Sequence, residues 1–238
     1  MNFVFEKKNL RQRIINYFDE LFKTNGFIKR KNIYDSCFWS CDMGWTTVSC
    51  SLGVTKYSDG ITEYIGGASI NSCEKYYPLY LLPVEELKMR VPPVPLIGEP
   101  LHGIDKRITH DRGKFKNIKE FEGHLPLFYM VLKETIIPEL LRYTSEDVLY
   151  ELLLPDREHT TMKLTAGRER RVSLLTLMKA EREGKEKAIS WAHEEMKRLD
   201  EKKEEPLPIP EGFVVAKVIQ CPKWREVKKV IEYLNSKN

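Results

Sequence analysis

Cysteine is scarce and cannot all be paired. Cys37, Cys41, Cys50, Cys73 and Cys221 are the only thiols in 238 residues. An odd, irregularly spaced set excludes a complete disulfide framework and suits a reducing compartment. Long apolar runs are also missing. The best, residues 125–132, falls well short of the roughly 18 residues a membrane-spanning helix needs. Charge of one sign does not dominate: 39 basic and 35 acidic residues leave a net charge of +4, too small to imply a nucleic-acid partner by itself. No Gly-x-x-x-x-Gly-Lys-Ser/Thr loop, Gly-x-Gly-x-x-Gly fingerprint or Gly-x-Ser-x-Gly elbow occurs, so the usual local signatures for phosphate cradling and serine hydrolysis are absent. The opening MNFVFEKKNLRQR puts charges where a signal peptide carries its apolar region. The expectation is a cytoplasmic protein, neither exported nor anchored.

What is present is an ordinary globular composition, 42% apolar and 31% charged, long enough for one sizeable core with an appended subdomain. Residues 33–73 form the one long stretch that reads as sheet. Before it, Leu10, Ile14, Phe18, Leu21 and Phe22 recur at spacings of three and four, predicting a helix over residues 6–24. Asn25-Gly26 supplies a left-handed stop, and Phe27 is placed to fold back on the last turn. Lys29, Arg30 and Lys31 then read as a basic turn before the first strand, closing a stretch with eight cations between Lys7 and Lys31. Residues 33–41 and 46–56 read as a hairpin across Asp42-Met43-Gly44. Cys37, Trp39 and Cys41 fall on one face, with Tyr34, Ser36 and Phe38 on the other. A third strand is expected over 61–72, where Gly66-Gly67 suggests a bulge or a close backbone approach.

Six prolines between Tyr76 and Pro100 forbid a long helix or a central strand there. A short helix over 84–89 and an otherwise extended, wrapping loop are expected. Its apolar residues pin it to the core, though such a segment could also enter another protein's aromatic groove. Helical pattern returns at Asn117, whose pairing with Glu120 resembles a capping box. Pro126 should open a second helix and Pro138 should kink or restart it, while Thr144 with Asp147 signals a further start. A helical hairpin follows, with Val172, Leu174, Leu175 and Met178 on one arm, Ala188, Ile189, Ala192, Met196 and Leu199 on the other, and a break at Gly184. Residues 201–210 (EKKEEPLPIP) read as a linker. Residues 213–219 read as a strand expected to rejoin the sheet, and a last helix is expected from Pro222.

The predicted class is therefore α+β: an antiparallel β-meander with packed helices, plus a helical-hairpin subdomain and a C-terminal strand–helix. The expected divisions are an α+β domain at 1–155, a hairpin subdomain at 156–205, and a linker with strand–helix at 206–238.

Chemistry is thinly signalled. On one strand Cys37 and Cys41 would stand about 13 Å apart, too far to share a zinc ion. No metal or cofactor is expected. Cys50 could meet His102 or His110 only if the fold brought them together, with Asp111 orienting a histidine. The polar run His110-Asp111-Arg112-Gly113-Lys114 is otherwise a hydrated turn. Arg168, Arg170 and Arg171 cluster at a helix start, the unfavourable end of the helix dipole for cations, a conflict sometimes tolerated for binding an anionic partner.

The order of amphipathic helix, GFIKRKNIY turn, β-meander and helices resembles bacterial domains of unknown function over about the first 150 residues. Some proteins of this look sit in toxin–immunity neighbourhoods, so the resemblance implies binding rather than catalysis. The reading carried forward is a non-catalytic cytoplasmic protein-binding module, immunity-like in one version. Its candidate contacts are Lys29, Arg30, Lys31, Tyr34, Phe38, Arg168, Arg170 and Arg171. The alternatives are a hydrolase using residues 102–114 and a nucleic-acid binder using the two basic clusters. No membrane partner is expected, and no oligomeric state follows.

Overall fold

The computed structural model describes residues 3–33, 36–56, 62–90, 92–108, 114–155, 163–164, 166–201 and 224–237. The fold is α+β, and the chain divides into two compact units. The first comprises Met1–Glu74 with Pro83–Thr165, the second Lys75–Leu82 with Ala166–Asn238.

In the first unit, α1 (Phe3–Thr24) buries Leu10, Ile14, Phe18, Leu21 and Phe22 as its spacing predicts. Each such side chain contributes on the order of 1.5–3 kcal/mol when fully buried. Gly26 has φ +82°, and the N–H groups of Phe27 and Gly26 donate to the carbonyls of Phe22 and Lys23. Those paired 6→1 and 5→2 bonds make a Schellman motif, and the Phe22 and Phe27 rings close it at 5.5 Å. The meander follows as β1 (Ile28–Ile33), β2 (Ser36–Asp42), β3 (Thr47–Lys56), β4 (Thr62–Asn71) and β5 (Pro95–Pro100), antiparallel and in sequence order. A two-residue β6 (Lys114–Phe115) also pairs with β4.

Two expectations are corrected here. Lys29, Arg30 and Lys31 lie on a strand, not in a turn, because the backbone of β1 pairs with β2 (Lys29 opposite Trp39, Arg30 opposite Phe38) and overrides the weak β-propensity of three cations. Part of the proline-rich segment is also a strand. β5 tolerates Pro95 and Pro100 because it lies at the sheet edge, where a missing N–H costs no ladder bond. The register of β3 with β4 is continuous through Gly66 and Gly67, so they form no bulge. Instead a Cβ on Gly66 would stand 2.8 Å from both Leu101 Cδ1 and the Ser51 carbonyl oxygen.

One face of the sheet carries Cys37, Trp39, Val48, Cys50, Leu52, Ala68 and Ile70, all buried. α1 packs against β1, β2 and β3. The Phe22 and Trp39 rings stack at 4.5 Å, and Trp39 Nε1 donates to Asp19 at 3.1 Å. The opposite face is a hydroxyl–amide network. Ser49 and Ser69 share a hydrogen bond at 2.8 Å, Ser49 also donates to Asn71 Oδ1, and Asn71 Nδ2 donates to Thr47 Oγ1. Satisfying these groups on one another lets Ser49 and Asn71 be buried at about 1% exposure without a desolvation penalty.

After α2 (Tyr77–Tyr80), which belongs to the second unit, come α3 (Val84–Met89) and α4 (Leu101–Ile104), then α5 (Ile118–Val131). Asn117 caps α5 by accepting from Glu120 N at 3.0 Å, and Glu120 reaches back to the backbone N–H of Lys116. Pro126 does not open a new helix; α5 runs through it. Pro126 and Glu122 both lie on the exposed side, where the carbonyl that loses its partner can turn to water. Pro138 does force an adjustment. A π turn (Leu132–Ile136) precedes α6 (Ile137–Leu141), with Ile137 N donating to Leu132 O. Ser145, one residue after the predicted start, caps α7 (Glu146–Leu153) through Val148 N.

The second unit holds α2 and three longer helices: α8 (Arg168–Glu183), α9 (Lys185–Glu201) and α10 (Arg225–Ser236). Gly184, at φ +95°, separates α8 from α9. Val172, Ala192, Leu199, Trp224 and Val227 form a shared core. α10 packs on α8, α9 and α2. Residues Arg171 to Met178 are all buried, so α8 is enclosed on every side of its middle turns. The expected linker at 201–210 falls, beyond Glu201, outside the described residues, as does the expected strand at 213–219. Among the described residues no helix is long and apolar enough to cross a membrane.

Candidate functional site

The first basic cluster lies on β1. This strand ends the sheet order and pairs with β2 alone among the described residues. Ile28 is 59% exposed. Lys29 Nζ donates to Asn32 Oδ1 at 3.0 Å, and Arg30 Nε donates to Ser40 Oγ at 2.7 Å, which ties the guanidinium stem to β2. Arg30 and Lys31 are exposed. Asp19 lies close enough for its charge to act with Lys29: the hydrogen bond from Lys23 holds its carboxyl below the usual range against the opposing effect of burial, with Trp39 and Lys29 adding to it. Tyr34 falls outside the described residues. Phe38, opposite Arg30, is buried, so it is not an exposed aromatic available to a partner.

The second cluster turns inward. Arg170 makes two bonds to Glu226, at 2.8 and 2.7 Å, and its guanidinium lies 5.1 Å from the Tyr80 ring centroid. Arg171 is 2% exposed and donates to Glu195 at 2.7 Å, while Arg198 binds the same carboxylate twice at 2.6 Å. Glu169 accepts from the backbone N–H of Glu226. The local conflict with the helix dipole is thus met by acids from α9 and α10, not by an outside anion. Arg168 occupies the first position of α8.

The segment proposed for catalysis is only partly within the described residues, since 109–113 are not. His102 is exposed on α4. Asp105 is engaged structurally: it accepts from Arg107 and from Thr135 Oγ1 at 2.7 Å, and the Arg107 hydrogen bond, first among its causes, holds its carboxyl at about 2. Burial raises the thiol of Cys37 to about 11 and that of Cys50 further. A buried thiol that stays protonated at neutral pH is a poor nucleophile. Among the described residues no group of three or more His, Cys, Asp or Glu side chains is placed to hold a metal ion.

The described residues of the first unit enclose cavities. One, of about 400 Å³, runs between α1 and α5 beside Tyr17, whose ring meets Tyr129 edge-on at 5.9 Å; the Arg13–Glu122 ion pair crosses it. Another, of about 300 Å³, opens where the β2–β3 turn, the end of β4 and α3 converge. Neither was visible as a motif, because each draws on residues far apart in sequence.

The chain is thus an α+β protein with a basic edge strand among its described residues. No protein-family model matches it, nor does any curated protein or solved structure.

Proposed function

We propose that this chain is a non-catalytic protein-binding module, working in a reducing compartment such as the cytoplasm, that pairs its β1 edge with an extended acidic segment of another protein. The observation that carries this reading is the placement of Lys29, Arg30 and Lys31 on an edge strand with exposed Ile28. An unpaired edge is a template for strand addition. Lysines on an edge also guard against self-pairing, which is the plainer role for these residues. The same charges that repel a second copy of β1 favour a strand of opposite sign. None of the four described cysteines is in a disulfide, which supports the reducing compartment. An immunity role is one version of the proposal, and it requires a toxin that presents an acidic segment.

The test uses a capped peptide alternating glutamate and valine, followed by amide NMR on the full chain. Chemical-shift changes should centre on Ile28–Ile33, and binding should weaken steeply as salt rises from about 0.05 to about 0.5 M, where screening shortens to a few ångströms. The double variant Lys29→Glu, Lys31→Glu should lose the response. Equal binding of a lysine–valine peptide, or no change in the β1 amides, would overturn the proposal.

A further inference from the structure

The 300 Å³ cavity beside the β2–β3 turn has a lining that is chemically mixed in a specific way. Two carboxylates, Asp42 and Glu74, line it together with one cation, Lys88, and an apolar wall that includes Trp45 and Leu87. The rigid part of this lining is fixed by bonds that point away from the cavity's needs. Trp45 Nε1 donates to the Tyr143 carbonyl at 2.8 Å, which anchors the indole. Asp42 Oδ1 accepts from Gly44 N at 2.8 Å, which locks the turn and leaves Oδ2 as an acceptor. Thr47, also in the lining, has its Oγ1 occupied as an acceptor by Asn71 Nδ2 at 2.8 Å, so its hydroxyl proton is what it can offer.

By contrast, Lys88 and Glu74 meet only at 3.9 Å, with side chains 70% and 71% exposed. An ion pair so long and so exposed contributes little and exchanges readily for a ligand's charges. We infer that this cavity is a binding site for a small zwitterionic amine of the amino-acid type. Its ammonium group is held by the Asp42 and Glu74 carboxylates beside the Trp45 ring, its carboxylate by Lys88 and the Thr47 hydroxyl, and its hydrocarbon part lies against Leu87. A purely cationic amine would meet repulsion from Lys88. A simple carboxylic acid would meet two like charges. Only the zwitterion answers both signs. The volume suits a molecule of this size, at the lower end of small-ligand sites. Nothing in this inference rests on the β1 proposal.

The test is NMR titration of the full chain with three probes: norleucine, butylamine and pentanoate. Norleucine should produce saturable shifts in the Trp45 indole and in residues 42–47 and 84–88, with Kd near or below about 10 mM. Butylamine should bind several-fold more weakly, and pentanoate should give no saturable shift. Asp42→Asn should weaken norleucine binding by roughly tenfold or more, the scale of a hydrogen bond to a charged group. Lys88→Met should remove the preference for norleucine over butylamine while leaving butylamine able to bind. Three results would overturn the inference: no saturable shift with norleucine, equal response to pentanoate, or unchanged norleucine affinity in Asp42→Asn. Because Asp42 and Lys88 are exposed, both variants should fold, and an unchanged spectrum away from the cavity confirms it.

Discussion

Replacing Glu195 by leucine takes away the acid to which a buried guanidinium donates. Arg171 and Glu195 are 2% and 5% exposed and meet at 2.7 Å, and Arg198 completes the cluster from a position where its own side chain is 43% exposed. Removing one partner of a buried pair costs about 3–5 kcal/mol, because the remaining charge stays out of water after losing the carboxylate that offset its desolvation. The double variant Arg171→Met, Glu195→Leu takes out both buried charges and should cost far less, near neutrality, since apolar replacements of similar volume avoid desolvating an ion at all. Arg198 loses a partner in both backgrounds but can return to water, a loss of about 0–1 kcal/mol. Urea melts followed by tryptophan fluorescence are suitable, since Trp191 and Trp224 both pack in this core. A loss of 3–5 kcal/mol corresponds to a Tm fall of about 6–20 °C for a chain of this size. The cluster also has a pH signature. The Arg198 hydrogen bond, first, and then Arg171 outweigh burial and hold the Glu195 carboxyl at about 2, below its ordinary 4.5. A carboxyl lowered on folding stabilises above its unfolded pKa, so this contribution is complete above about pH 4.5 and is lost as pH falls towards 2. Two results would refute the reasoning: a single variant as stable as the double, or a Glu195→Leu protein whose stability falls between pH 4.5 and 2 as steeply as the parent's.

Other perturbations follow from particular contacts. Gly66→Ala should cost about 1–3 kcal/mol by overpacking, since its Cβ would press Leu101 and the Ser51 carbonyl, and its cost should be smaller in a Leu101→Ala background than in the parent, as a double-mutant cycle of denaturant melts would show. Ser173→Ala should be neutral or stabilising by up to about 1 kcal/mol, because Ser173 Oγ is buried on α8 without a hydrogen-bond partner; denaturant midpoints measure it. Among the described cysteines, the half-buried Cys41 and Cys73 should react with a thiol reagent in the native protein well before Cys37 and Cys50, which are buried with raised thiols. Mass spectrometry of time-quenched samples would read the order.

Local physics was legible in the residues themselves. The Leu10–Phe22 stripe, the Gly26 stop with Phe27 folded back, the Asn117–Glu120 cap, the Gly184 break and the alternation of β2 and β3 each involve groups within about one turn or one pleat, so the sequence by itself determined them. The basic residues of the candidate site were legible as a cluster, but not as an edge strand. Three cations have no intrinsic call on β structure, and only pairing with β2 makes one of them. Pro95 and Pro100 argued only against a central strand, and pairing with β4 at the sheet edge made their segment an edge strand, while Pro126 argued for a break until the exposed side of α5 showed where its freed carbonyl could go. Arg171 read as a candidate contact for an anionic partner because the acid it donates to, Glu195, lies 24 residues away on another helix. The cavity beside Trp45 gathers side chains from residues 42–47, 72–74 and 84–88. Such groupings depend on loop closure and packing among distant segments, and no window of sequence contains them; only the tertiary structure decided which charges face water, which face each other, and which line a space that a ligand could fill.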